Sequence, residues 1–279
     1  MLNGGSTALA TIAVASGKGG VGKTNLSTNL SVALARSGRN VLLMDADLGL
    51  ANVDLLLGLS SERNISHVLD GECELADIVL EGPAGIRVIP ATSGVQRMAQ
   101  LNEQEHGGLI TAFSSLPPAD ALVVDTGAGI ADNVVMFCKA VQHVMVVVCD
   151  EPASMTDAYA LIKVLNTQHG VNTVNIVTNM VNDRQHGERV YRALSQVADK
   201  NLDVDLRFMG AIPTDQYIRK ANRARQTVVE AYPLSKSSRV FSEMAKQINR
   251  WPSAGAGAGQ MQFFIERLIG SHAVGPGIA

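Results

Sequence analysis

The sequence predicts an α/β protein with a doubly wound, mostly parallel sheet of about seven to eight strands flanked by helices. Short runs rich in β-branched residues recur as TIAVA, NVLLMDA, IRVIP, ALVVD, HVMVVVC, NTVNIVTN and RFMGAIP, with helix-length segments between them. The runs are continuously apolar rather than alternating, the pattern of strands covered on both faces. Their strand-helix-strand spacing predicts parallel neighbours. Ligands in such sheets sit beyond the carboxyl ends of the strands, so chemistry is expected in the loops after TIAVA, LLMDA and LVVD.

The opening ALATIAVA has no basic residue before it and runs straight into a glycine loop, so it reads as a buried strand and not as a signal-peptide core. A helix is predicted from Lys23 to Ser37, closed by Gly38, and another from Ser154 to Thr167 with an acidic residue in its first turn. At 279 residues and 46% hydrophobic content the chain can bury one large core. No uncharged apolar stretch approaches the roughly 18 residues that would cross a bilayer. A net charge of -3 argues against coating a duplex, and no direct nucleic-acid partner is expected. RKANRAR concentrates Arg219, Lys220, Arg223 and Arg225; it reads as a solvated helix face or as a docking surface for an acidic partner. Cys73, Cys138 and Cys149 lack paired spacing and read as small core hydrophobes of a reducing, cytoplasmic setting. The six histidines show no ligand spacing.

The main domain is expected over residues 1–251, a flexible SAGAGAG linker over 252–260, and a C-terminal amphipathic helix and tail over 261–279. On a helical wheel Met261, Phe264, Ile265, Leu268 and Ile269 share one arc, Gln262, Glu266 and Arg267 lie outside it, and Phe263 is an exception. With one Glu against one Arg, attraction to anionic lipid is slight and apolar burial must dominate. Three fates stay open and do not exclude one another: peripheral membrane contact through residues 261–269, docking in a groove of the chain's own domain, or a plain packed terminal helix.

Residues 16 to 24 read SGKGGVGKT. Gly17, Gly22, Lys23 and Thr24 complete the P-loop pattern between a strand and a helix, where backbone N–H groups close around phosphates, Lys23 meets the β and γ phosphates, and Thr24 offers a hydroxyl to Mg²⁺. Nothing in that pattern explains Lys18. Asp45 and Asp47, two apart at the end of NVLLMDAD, share a side of their strand, and ALVVD brings Asp125 on another. One carboxylate would steady a hydrated Mg²⁺ and one would orient an attacking water.

KGGVGKT resembles the deviant Walker A motif of the MinD/ParA ATPases, DADLGLANVD their second motif, and VVDTGAGI their Walker B and switch II stretch, over residues 10 to 250. The resemblance implies a MinD-like P-loop NTPase fold, ATP/ADP and Mg²⁺ as ligands, and a homodimer formed with ATP. It makes Lys18, Lys23 and Asp47 catalytic: Lys18 reaches across the dimer to the partner's phosphates, and Asp47 positions the hydrolytic water. It places Thr24, Asp45 and Asp125 around the metal. It puts Gly17, Lys18, Gly19, Gly20, Val21, Gly22, Lys23, Thr24 and Asn25 around the phosphates and Glu151 on the partner's ribose. Asn179 would read adenine, with the segment from Pro213 to Asp215 closing over the base. From the residues alone, Asn179 follows a strand and also admits the reading of a turn former. Gly127 stands where the family pattern has alanine and is expected to loosen switch II.

Within that family DLGLANVDLLLG, SGVQ, CDEPASMTDAYALIK and WP followed by FFIERL are similar to the flagellar-number regulators, the FlhG/FleN group. This implies a slow, cytoplasmic, switch-like ATPase, peripheral on the inner face of the membrane or at the pole. It would restrain a σ54-dependent flagellar activator of the FleQ/FlrA type. The flagellar GTPase FlhF is a further implied partner, although MLNGGSTAL is shorter than the segment with which some relatives stimulate it. The alternatives are a MinD-type division-site regulator, a ParA-type partition ATPase, and a metabolic enzyme or cluster carrier on the same scaffold. The last would need paired cysteines.

Overall fold

The computed structural model describes residues 9–47, 52–90, 103–251 and 260–270. In chain order the elements are β1 (Ala10–Ser16), α1 (Lys23–Arg36), β2 (Val41–Ala46), the short helices α2 (Val53–Leu57), α3 (Ile65–Leu69) and α4 (Leu75–Ile78), then β3 (Leu80–Glu81) and β4 (Arg87–Ile89). There follow α5 (Glu103–Ser114), β5 (Ala121–Ala128), α6 (Asp132–Ala140), β6 (His143–Cys149), α7 (Pro152–His169), β7 (Thr173–Val181), α8 (Arg184–Asn201) and β8 (Asp205–Pro213). The chain continues through α9 (Gln216–Arg223), α10 (Val228–Ala231), α11 (Lys236–Ile248) and α12 (Gln260–Gly270).

All eight strands form one sheet in the order β3-β4-β2-β5-β1-β6-β7-β8. Every pairing is parallel except β3 with β4, a two-residue antiparallel edge that the apolar runs do not announce. Alternate residues of the central strands enter two separate cores. Ile12, Val14, Leu43, Val123, Met145 and Val147 pack with α1 and α11 on one face. Ala13, Ala15, Met44, Val124, Val146 and Val148 pack with α5, α6, α7 and α12 on the other. Burial on both faces is why the strands read as unbroken apolar runs.

α1 buries Leu26, Leu30 and Leu34 at four-residue spacing and ends with Gly38 in the left-handed region, as its sequence predicts. α7 departs from expectation at its start. Pro152 occupies its first turn, so the helix begins two residues before Ser154 and Asp157 falls beyond the first turn. Cys138 and Cys149 are buried, and burial lifts their thiols to about 12 and about 11. Cys73 is half-buried. The expected linker falls on residues 252–259, outside the described residues apart from Gln260, which opens α12.

α12 lies on α5 and α6. Its Phe264, Ile265 and Leu268 are fully buried among Leu109, Phe113 and Val135, and Met261 packs beside them. Phe263 is 53% exposed, with the Arg267 guanidinium 5.6 Å from its ring centroid. Arg267 also donates to the Lys139 carbonyl at the end of α6. Ile269 of the predicted arc is outside the residues whose side chains are described.

At the amino end of β6, His143 stacks on Trp251 with ring centroids 3.9 Å apart. Burial, then the charge of Arg207, lower its pKa to about 4. A histidine held neutral contributes stability that is fully present above its unfolded value near 6.5 and is lost as pH falls through about 4. Between those pH values the wild type should lose about 2 kcal/mol more than His143→Phe, after discounting for partial exposure. Urea midpoints at pH 7 and pH 4 measure it; equal losses in the two proteins refute it.

Candidate functional site

Three strand ends set the site. β2, β5 and β1 are adjacent, and their register puts Asp45 beside Asp125 and Asp125 beside Val14, two residues before β1 ends. The chain leaving β1 must turn at once into α1. Gly22 makes that turn at φ 94, and a Cβ there would lie 2.3 Å from the Asn179 amide nitrogen. On the other flank a Cβ on Gly17 would lie 2.0 Å from the Asp157 carbonyl oxygen in α7. The loop is thus wedged between α7 and β7. Ser16 fixes it further, its hydroxyl donating to the Lys18 carbonyl at 2.7 Å.

α1 begins with no side-chain cap, so its first N–H groups converge on the loop as an anion site. Lys23 is buried in the first turn, and burial lowers its pKa against the opposing pull of Asp125 and Asp47. Asp125 is buried and accepts from the Ser27 hydroxyl at 2.7 Å and from Thr24; burial pushes it up to about 6 despite those bonds and Lys23. Asp45 is buried too, and burial followed by the Asp125 carboxyl pushes it up to about 7. Its oxygens accept three backbone N–H groups, from Asp47 at 3.0 Å, Asn52 at 3.2 Å and Val53 at 3.1 Å. One carboxylate therefore holds both Asp47 and the start of α2.

These residues fit a magnesium ion. Thr24, Asp45 and Asp125 supply hard oxygen donors. Among the described residues no three carboxylates, imidazoles or thiolates form a closed cage, as suits an ion that keeps waters and shares phosphate oxygens.

Two cavities open here. A cleft of about 700 Å³ runs along Gly19, Gly20, Lys23 and Thr24 to Asp47, Leu55, Leu56 and Asn222. A smaller, mostly apolar pocket of about 310 Å³ is lined by Asn179, Ile212, Pro213, Thr214, Asp215, Ile218 and Arg219, and it shares Gly22, Asn25 and Met180 with the cleft. Asn179 does not follow a strand but lies within β7, paired with Cys149 and Ile212. Its amide donates to the Val21 carbonyl at 2.7 Å and accepts from the Met180 N–H at 2.8 Å, which holds Met180 at φ 56. The Asp215 side chain caps α9, accepting from the Tyr217 N–H at 2.9 Å, and takes the Ser237 hydroxyl at 2.8 Å. Burial alone would raise its pKa, but these bonds hold it below the usual carboxylate range.

Lys18 and Glu151 stand at the lip. The ammonium meets the Glu151 carboxylate at 2.7 Å, with side chains 39% and 58% exposed. The hydrogen bond first, then the charge of Glu151, raise the lysine pKa. Beside them Asp150 pairs with His186 at 2.7 Å. Gly127 lies inside β5, where a Cβ would make ordinary contact with Val134 at 3.5 Å and Asp47 at 3.6 Å. Motif reading missed Ser27, Met180 and Asn222. Ser27 was findable four residues after Lys23 on the same helix face; Asn222 lay inside the basic run.

The description of the CobQ/CobB/MinD/ParA nucleotide binding domain matches residues 12–228. The antiactivator FleN of Pseudomonas aeruginosa is 50% identical over 268 residues, 96% of each chain. The flagellum site-determining protein YlxH of Helicobacter pylori is 35% identical over 239 residues, 85% of this chain and 79% of that one. Among solved structures, the MinC:MinD cell division protein complex of Aquifex aeolicus aligns with a TM-score of 0.68 at 25% identity, covering 89% of this chain and all of that one. The septum site-determining protein MinD complexed with Mg-ADP from Pyrococcus horikoshii gives the same TM-score at 24% identity, covering 87% and 96%, and so shares the fold. The chain belongs to the CobQ/CobB/MinD/ParA family of nucleotide-binding domains, with similarity to FleN along nearly its whole length.

Proposed function

We propose that this protein is a switch ATPase that binds ATP with Mg²⁺, dimerises around it, hydrolyses it slowly to ADP, and in doing so restrains a σ54-dependent flagellar activator of the FleQ/FlrA type. The observation that carries the reading is Lys18, an exposed cation on a P-loop already complete without it. Lys23 and the uncapped start of α1 hold the phosphates of the chain's own nucleotide. Lys18 leaves Glu151 and meets the triphosphate of a second copy, while the partner's Glu151 meets the ribose. Asp47, on a loop pinned by Asp45, orients the attacking water. When bound, Mg²⁺ neutralises phosphate charge beside Thr24, Asp45 and Asp125. The names antiactivator and flagellum site-determining protein, carried by the two flagellar relatives, support control of flagellar number.

FlhF is a further partner in this proposal. The protein works in the cytoplasm and reaches the inner membrane face or the pole through α12, which alternates between its seat on α5 and α6 and a lipid surface. A second reading, a ParA-type partition ATPase, is favoured by the exposed Arg219, Lys220, Arg223 and Arg225 around α9. Salt-sensitive binding of random duplex by the ATP form would support it; the net charge of -3 weighs against it.

Lys23→Ala should lose nucleotide binding in calorimetry. Lys18→Ala should bind ADP as the wild type does yet run as a monomer with ATP in light scattering; an ATP dimer from this variant sinks the trans role. Asp47→Ala should keep the ATP dimer while phosphate release falls by about 100-fold or more. Undiminished turnover would remove its assignment to the water. Truncation after Trp251 should leave ADP affinity intact and abolish ATP-dependent sedimentation with anionic liposomes. Continued sedimentation would place the membrane contact elsewhere.

A further inference from the structure

Among the described residues, the amide oxygens of Asn25 and Asn222 are buried and have no hydrogen-bond partner. A buried carbonyl left unpaired costs about 1–3 kcal/mol, so two such atoms in one cleft mark a place where donors must come from outside the chain. Their positions say which donors. Asn25 lines both the phosphate cleft and the smaller pocket that Asn179 and Pro213 enclose, and therefore stands where the two meet. Asn222 lines the cleft from α9, in company with Leu55 and Leu56 of α2. α9 is not free to drift: Asp215 caps its first turn and Ala221, next to Asn222, is completely buried.

A nucleotide with its phosphates on the P-loop and its base in the apolar pocket must pass its sugar across that junction. Phosphate oxygens carry no hydrogen to give at neutral pH. The donors on the bridging part are the 2′ and 3′ hydroxyls. We propose that Asn222, together with Asn25, is the ribose subsite of the chain's own nucleotide, each amide oxygen accepting a hydroxyl hydrogen of the sugar. This deepens the nucleotide reading above and rests on it. It also adds a sugar contact from within the chain to the one assigned across the dimer to Glu151.

The subsite is tested with ADP, which is not turned over and, on the reading above, leaves the protein monomeric, so that no second chain touches the sugar. Calorimetric titration of the full chain with ADP, 2′-deoxyADP and 3′-deoxyADP should show at least one deoxy analogue binding about tenfold more weakly than ADP. Asn222→Leu, similar in size and unable to accept, should bind ADP about tenfold more weakly and bring ADP and that analogue within about twofold of each other. Asn222→Ala should behave likewise, and serves if the leucine variant does not fold. Equal binding of all three nucleotides by the wild type, or a full ribose preference surviving in the variants, overturns the subsite and leaves the nucleotide reading standing. No ADP binding by the wild type overturns both.

Discussion

Two carboxylates and one ammonium are buried at the ends of three neighbouring strands, and the geometry of the site follows from keeping them there. Charges taken out of water must be hydrogen-bonded or paired. Asp45 meets that demand by drawing three backbone N–H groups onto itself, which ties Asp47, just past β2, to the start of α2. Asp125 meets it by gripping Ser27 and Thr24, which fixes the register of α1 against the sheet. Lys23 feels the charges of Asp125 and Asp47, and burial lowers its pKa. The cluster holds the P-loop helix, the Asp47 loop and the end of β5 in one arrangement before any ligand arrives. That is preorganisation for a phosphate-bound cation, since each charge is already oriented and desolvated.

The lip obeys different physics. Lys18 and Glu151 are both substantially in water, where a pair is screened by salt and offset by the entropy of holding two side chains. Such a pair breaks easily. It also joins, within one chain, the two residues that the proposed dimer would set against a second nucleotide. In that proposed dimer each chain would have to give up this contact before either residue could act in trans, and the nucleotide's negative charge would compete with Glu151 for the same ammonium. An exposed pair is well suited to that exchange, because what is lost in a monomer is small compared with a triphosphate met in a water-excluded interface.

The sheet was legible in the sequence wherever strands are covered on both faces, because burial writes itself as an unbroken apolar run. β3 was not, being two residues long at an edge. The phosphate loop was legible because glycines and lysines there have few other reasons to adjoin a strand. Asn179 was misplaced by two competing readings of asparagine, turn former and strand residue, which only the pairing with Cys149 and Ile212 separates. Asn222 was invisible for a stronger reason. Its oxygen is buried, and the residue shares a cleft with Leu55 and Leu56 of α2, more than a hundred residues away, a neighbourhood no local pattern records. On sequence grounds it belonged to a solvated basic helix, and its neighbours Arg219 and Arg223 are indeed exposed.

The wheel of α12 named the right face and left its occupant open, and the packing shows why docking and membrane contact were both readable. Phe264, Ile265 and Leu268 fill the core against α5 and α6, and they are the same side chains a lipid surface would need. Each is worth roughly 1.5–3 kcal/mol on burial, whether the surroundings are protein or acyl chain. These terms cancel for the helix's own side chains, but release would also uncover Leu109, Phe113 and Val135 of α5 and α6, so the docked seat is the favoured one. Insertion would in addition cover Phe263, exposed when docked, and would give up the Arg267 bond to the end of α6. α6 starts just past β5 and Asp125, so any nucleotide-driven shift of that segment moves the carbonyl that Arg267 holds. On the proposed membrane reading, release of α12 therefore needs a ligand that binds the two states differently enough to offset the core face it uncovers.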